Sequence, residues 1–225
     1  MKNKKAANTS IALDGVKDGD VILLGGFGTA GVPTSLIQGL AKKRLKELTI
    51  VSNGGPDDES PLSHLLSNGT IRKIICTFPY PKESIILKKL HHDGVIEVEL
   101  VPQGTLAERM RSAGAGLGGF LTRTSLGTEI AVGKPEVVVD GQTYVLEKPL
   151  HADVALIKAH QVDPRGNLTY RMTAQNFNPI MATAAKLPIV EAFQEVALGD
   201  IDPTLVVTPG IYVDRYVVKN GGIGS

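Results

Sequence analysis

Short apolar runs alternate with stretches of helical period along the first half of the chain. Val21-Ile22-Leu23-Leu24 is apolar at every position, the pattern of a strand buried on both faces. A glycine-rich turn follows. Pro33 then opens a segment with Leu36, Ile37, Leu40 and Ala41 on one face, which predicts a helix, proline being suited to a first helical position. The rhythm continues with strands predicted over 48–51, 73–77 and 96–101, and helices over 60–66, 83–91 and 106–113. Strands alternating with helices predict an α/β fold, an open and mostly parallel sheet flanked by helices.

Residues 114–133 break the rhythm. Six glycines fall there (Gly114, Gly116, Gly118, Gly119, Gly127 and Gly133), which predicts either a functional loop or lid, or a plain insertion. Further on, 136–140 and 143–147 flank Gly141-Gln142 and predict a β-hairpin, a small antiparallel excursion from the sheet. Strands are expected at 154–159 and 187–192, a turn at 163–167, and a helix at 178–185 with Pro179 in its first turn. Late strands are expected at 206–207 and 212–218. The expected organisation is one domain over residues 1–218 and a flexible tail at 219–225.

Composition narrows the function. Hydrophobic residues make up 42% and charged residues 21% of 225, which excludes wholesale disorder. Lys+Arg is 24 against 23 for Asp+Glu, so no excess positive charge drives nucleic-acid binding. The longest aliphatic run, 21–24, is far short of the ~20 residues of a membrane helix. The one cysteine, Cys76, forms no internal disulfide, which fits a reducing, cytoplasmic setting. Glycine is abundant (25 residues) and aromatics are scarce (4%), which suits tight turns and close backbone approach rather than stacking on bases.

The strongest local chemistry is Gly25-Gly26-Phe27-Gly28-Thr29-Ala30-Gly31-Val32-Pro33, between a strand and a helix. Such a turn either cradles an anionic or carbonyl oxygen, with free amides at the helix start, or is only a tight β-to-α connection. It is not a phosphate-binding loop of the Lys-Ser/Thr type. Ser52-Asn53-Gly54-Gly55 and Pro102-Gln103-Gly104-Thr105 end the second and fourth strands, at the sheet edge where ligands bind in such folds. Gln103 has two readings there, a hydrogen bond to substrate or a cap on the following helix. His91 and His92 are adjacent and cannot share a metal, no zinc spacing exists, and Cys76 reads as a buried structural thiol. No metal site is expected.

Taken together, several motifs resemble the A (alpha) subunit of the family I CoA-transferases, the 3-oxoacid CoA-transferases. They are Asp18-Gly19-Asp20 before Val21–Leu24, then Gly25-Gly26-Phe27-Gly28 with Gly31 and Pro33, and Val101-Pro102-Gln103-Gly104-Thr105-Leu106-Ala107-Glu108-Arg109. Gly166-Asn167-Leu168, Ala174-Gln175-Asn176-Phe177-Asn178-Pro179 and Thr208-Pro209-Gly210-Ile211-Tyr212 continue it in order along the chain. The resemblance implies a fold of the CoA-transferase type and a complex with a B subunit, in the form of a heterotetramer of two A and two B chains. It implies transfer of CoA from succinyl-CoA or another acyl-CoA to a 3-oxo acid through a glutamyl-CoA intermediate. Coenzyme A is then a substrate, and no resident cofactor is expected. The family's nucleophilic glutamate lies in a Ser-Glu-Asn-Gly motif that this chain lacks, so the partner is expected to carry it. No catalytic residue is assigned here. CoA and substrate contacts are expected from Gly25, Gly26, Phe27, Gly28, Gly31, Pro33, Ser52, Asn53, Gln103 and Gly104.

For the acceptor, Cys76-Thr77-Phe78-Pro79 resembles the 3-oxoadipate enzymes, whereas Ala115-Gly116-Leu117-Gly118 resembles the acetate/acetoacetate ones. A dicarboxylate needs a second cationic pocket, for which Lys82, Arg109 and Arg123 are candidates. A metabolite sensor or a sugar-phosphate isomerase of related fold is the alternative of another class.

Overall fold

The apolar run Val21–Leu24 lies in the middle of the main sheet, and its residues enter two cores: Ile22 and Leu24 one, Leu23 the other. A strand covered on both faces needs an apolar side chain at each position, hence the missing alternation. The structure is a computed structural model and describes residues 4–219.

In chain order the elements are α1 (Thr9–Ala12), β1 (Val21–Leu24), α2 (Thr34–Lys42), β2 (Leu48–Val51), α3 (Ser63–Ser67), β3 (Ile71–Cys76), α4 (Ile85–His92), β4 (Glu97–Leu100) and α5 (Gln103–Gly114). They continue with β5 (Phe120–Thr122), β6 (Glu136–Val139), β7 (Gln142–Glu147), β8 (Ala152–Val162), β9 (Leu168–Thr169), α6 (Asn178–Thr183), β10 (Ala185–Glu195) and β11 (Arg215–Val218). The main sheet runs β11-β10-β8-β1-β2-β3-β4 with parallel neighbours throughout, and β9 folds back antiparallel on β8. Helices α2, α3 and α4 supply Leu36, Leu40, Leu65 and Leu87 to one core; α5 and α6 supply Leu106, Met110 and Met181 to the other.

Chain order reverses at β1: later strands are added on one side through β4, and β8, β10 and β11 on the other. This switch point opens a crevice at the C-terminal ends of β1 and β8, the place where α/β sheets of this kind hold ligands.

The small antiparallel sheet, β5-β7-β6, contains the expected hairpin. Its turn is Asp140-Gly141, with φ of 49° and 75°, a two-residue connection that needs positive φ at both positions. The glycine-rich stretch 114–133 is not all loop. Its Phe120–Thr122 pairs with β7, and Glu129–Ala131 is a 3₁₀ turn. A three-residue edge strand is too short to show a period. The strand expected at 206–207 is absent: Pro203–Leu205 forms a 3₁₀ turn, and Thr208 only bridges to Leu168. Lys219, the first residue of the expected tail, donates its amide to the Ala192 carbonyl at 2.9 Å; 220–225 lie outside the described residues.

Candidate active site

The 25–31 turn stands at the switch point. Phe27 and Ala30 exchange backbone hydrogen bonds of 3.0 and 3.1 Å, which leaves Gly28 and Thr29 at the tip of a tight hairpin. Gly28 has φ +57°, and a Cβ added to it would meet nothing within 4 Å. The amides of Gly28 and Thr29 donate to no group among the described residues, and both residues are exposed. Phe27 beside them is half exposed. The tip is thus a pair of unspent donors with open space in front of it.

The base of the turn is different. Asn178, fully buried at the start of α6, accepts from the Lys158 amide at 2.9 Å and donates to the carbonyls of Gly31 and Ala174 at 3.1 and 2.9 Å. Asn176 donates to the Ala30 carbonyl at 3.0 Å. A Cβ on Gly25 would lie 1.9 Å from Asn178 Oδ1, one on Gly26 2.7 Å from the Val32 side chain, and one on Gly31 2.6 Å from the Ala174 carbonyl. Gly25, Gly26 and Gly31 therefore answer to close packing, and Gly28 alone of the four faces open space.

The start of α2 corrects one expectation. Pro33 is the residue before the helix, not its first turn, and the helix-start amides are not free. Glu191, on β10 and 1% exposed, accepts from Ser35 N at 2.7 Å and Leu36 N at 3.3 Å through Oε2. A buried carboxylate thus occupies the place where an anionic ligand was expected, and the free amides lie in the turn tip instead. The signal in the sequence was a glutamate inside the apolar run Ile189-Val190-Glu191-Ala192.

On the other flank of the turn, Asn53 follows β2 and Gln103 begins α5. Gln103 Nε2 donates to Asn53 Oδ1 at 2.7 Å, and Thr77 Oγ1 donates to the Asn53 carbonyl at 2.8 Å. Gln103 makes no side-chain cap on α5; its amide is used to fix Asn53. With Oδ1 occupied, the Nδ2 of Asn53 is the end left for a ligand. Ser52 turns inward to the Gly54 carbonyl at 2.8 Å and serves the loop. Gly104, next to Gln103, has no atom within 4 Å of where a Cβ would stand. Gly28, Thr29, Asn53, Gln103 and Gly104 thus lie along one sheet edge, with donors and open space.

Other candidates fall away. Cys76 is fully buried, and burial pushes its thiol up to about 11, away from thiolate chemistry. His91 contacts the Tyr80 hydroxyl. Among the described residues no group of three His, Cys, Asp or Glu is placed to hold a metal, and no helix is long and apolar enough to cross a membrane. Arg109 is spent on Glu99 at 3.0 Å and the Lys148 carbonyl at 3.1 Å.

Comparison with known proteins bears on what this edge serves. Residues 6–220 match the family described as Coenzyme A transferase. The chain belongs to this family. The transferase is 49% identical to the A subunit of the 3-oxoadipate CoA-transferase of Pseudomonas putida, over 100% of this chain and 97% of that one. It is 44% identical to the A subunit of the succinyl-CoA:3-ketoacid coenzyme A transferase of Helicobacter pylori, over 95% of this chain and 91% of that one. The crystal structure of glutaconate coenzyme A-transferase from Acidaminococcus fermentans shares its fold at a TM-score of 0.82 and 22% identity, over 96% of this chain and 75% of that one. Both relatives carry the name of an A subunit, and this transferase is of that A-subunit type. Its switch-point edge carries the unspent Gly28 and Thr29 amides and the open space beside them.

Proposed function

We propose that the protein is the A subunit of a 3-oxoacid CoA-transferase that moves CoA from succinyl-CoA to 3-oxoadipate. The full-length similarity to the relative named for 3-oxoadipate carries the choice of acceptor. In this reading a glutamate carried by the partner chain attacks the thioester carbonyl and expels CoA. The resulting acyl-glutamyl anhydride is opened by CoA to a glutamyl-CoA thioester, and the acceptor acid reverses the sequence. One difficult exchange is divided into easier ones.

The part given to this chain is electrostatic. The Gly28 and Thr29 amides donate to the oxyanion that develops on the reacting carbonyl, where fixed donors outperform water because they need no reorganisation. Asn53, oriented by Gln103, offers its Nδ2 to the acyl group, and Gly104 keeps the approach open. Glu191 is the buried carboxylate behind the turn, but its Oε2 is committed to two α2 amides, which supports its role as a cap and leaves the nucleophile to the partner. Phe27 and Phe78, 52% and 60% exposed at the same edge, are surfaces for that partner. Two A and two B chains make the complex, CoA is a substrate with no resident cofactor, and the cytoplasm keeps Cys76 reduced.

The assay is succinyl-CoA with 3-oxoadipate, each chain alone and then mixed. Turnover is expected only from the mixture; full turnover from this chain alone overturns the reading.

A further inference from the structure

A cavity of about 400 Å³ opens behind the glycine turn, between the C-terminal halves of β8 and β10 and the 171–174 segment. Thr29 belongs to its wall and also carries one of the two unspent tip amides, so the cavity and the reacting edge share a residue.

The cavity is cationic. Lys158, Arg171 and Lys219 line it, with His160, against one carboxylate, Glu191. Among the described residues no carboxylate pairs with Arg171 or Lys219. Lys158 and Glu191 are register partners on β8 and β10. The Lys158 ammonium is 4.0 Å from Glu191 Oε1, too far for a hydrogen bond, and that buried oxygen has no hydrogen-bond partner. Glu191 therefore holds the lysine charge in place while the ammonium keeps its donors. One wall is apolar: Phe193, with His160 stacked on it at 5.6 Å and 14°. A ring wall beside a cationic rim suits methylene groups that end in a carboxylate, and suits a bare inorganic anion less well.

We propose that this cavity receives the distal carboxylate of a dicarboxylic acceptor, through Lys158 and Arg171, while the reacting carboxylate lies over the Gly28–Thr29 tip. The site rests on the transferase reading above and adds its selectivity. Lys82, Arg109 and Arg123 do not line this cavity: Arg109 is paired with Glu99, and Lys82 and Arg123 are exposed after β3 and β5.

The test uses the reconstituted A–B complex with Arg171→Ala and Lys158→Met, the methionine keeping the apolar stem of the lysine. The ratio of kcat/KM for 3-oxoadipate to that for acetoacetate is expected to fall at least about tenfold in each variant. Adipate, an unreactive dicarboxylate, is titrated calorimetrically into the full chain in parallel. Wild type is expected to bind it, and both variants to bind it at least about tenfold more weakly. An unchanged ratio, or equal adipate binding by folded variants, overturns the site. A wild-type complex that uses acetoacetate but not 3-oxoadipate overturns the site and the choice of acceptor, and leaves CoA transfer to a 3-oxo acid standing. A complex that uses neither acid removes the transferase reading; the adipate titration then decides the cavity alone. Arg171 is exposed, so its variant folds even where that of Lys158 does not.

Discussion

Gln103 Nε2 donates to Asn53 Oδ1 at 2.7 Å, which ties the start of α5 to the end of β2 across the sheet edge. The bond occupies the Oδ1 end of the Asn53 amide and leaves the Nδ2 end for the acyl group proposed above. Gln103→Leu is expected to leave the melting temperature of the chain nearly unchanged and to lower kcat/KM of the A–B complex by about tenfold to a hundredfold, the scale of a misplaced positioning group. Thermal melts and steady-state kinetics on one preparation separate the two effects.

The glycines of the turn separate packing from chemistry. Gly25→Ala forces a methyl group to within 1.9 Å of Asn178 Oδ1 and is expected to destabilise the chain by about 1–3 kcal/mol through overpacking. Gly28→Ala meets no atom and strains only its φ of +57°, at a cost of about 1–2 kcal/mol. It nevertheless adds a methyl group to the exposed tip that carries the two unspent amides. Gly28→Ala is therefore expected to fold, join the partner and lose at least about tenfold in kcat. Urea melts and kinetics of the two variants check the contrast.

Glu191 is the buried cap of α2. Glu191→Ala leaves the Ser35 and Leu36 amides without their acceptor and opens a void, an expected loss of about 2–4 kcal/mol. Glu191→Gln keeps an acceptor oxygen and is expected to lose less. Urea unfolding ranks the pair.

The parallel sheet, its two-sided burial and the placement of the turn were legible because they follow from local periodicity and glycine spacing. Val21–Leu24 and Leu48–Val51 are apolar throughout or nearly so, and a strand buried on both faces accommodates that. What escaped came from distant residues. Glu191 reaches α2 across 156 positions, and Asn178 reaches Gly31 across 147; the glutamate stands out in its apolar run, but the partner of neither residue is marked locally. The role of Gln103 was open between ligand and cap because its partner, Asn53, is brought near only by the order of the strands. The edge strand Phe120–Thr122 was hidden among glycines for want of length.

Acid stability follows from Glu99. Burial raises its carboxyl, but the hydrogen bonds and charges of Lys73 and Arg109 outweigh that and hold it below the ordinary 4.5. A depressed folded value means a contribution that is complete above 4.5 and is lost as the pH falls through the lower folded value. Glu99→Gln is expected to be less stable than wild type at neutral pH, by about 1 kcal/mol, and to converge with it in acid. Urea midpoints followed down the acid limb check the convergence.

The division of labour between the two chains is tested most directly by trapping. The A–B complex is incubated with succinyl-CoA, reduced with borohydride and resolved by intact-chain mass spectrometry. The mass change of a reduced glutamyl thioester is expected on the partner chain, with this chain unaltered. The same change on this chain, mapped to Glu191 or any other of its carboxylates, contradicts the account.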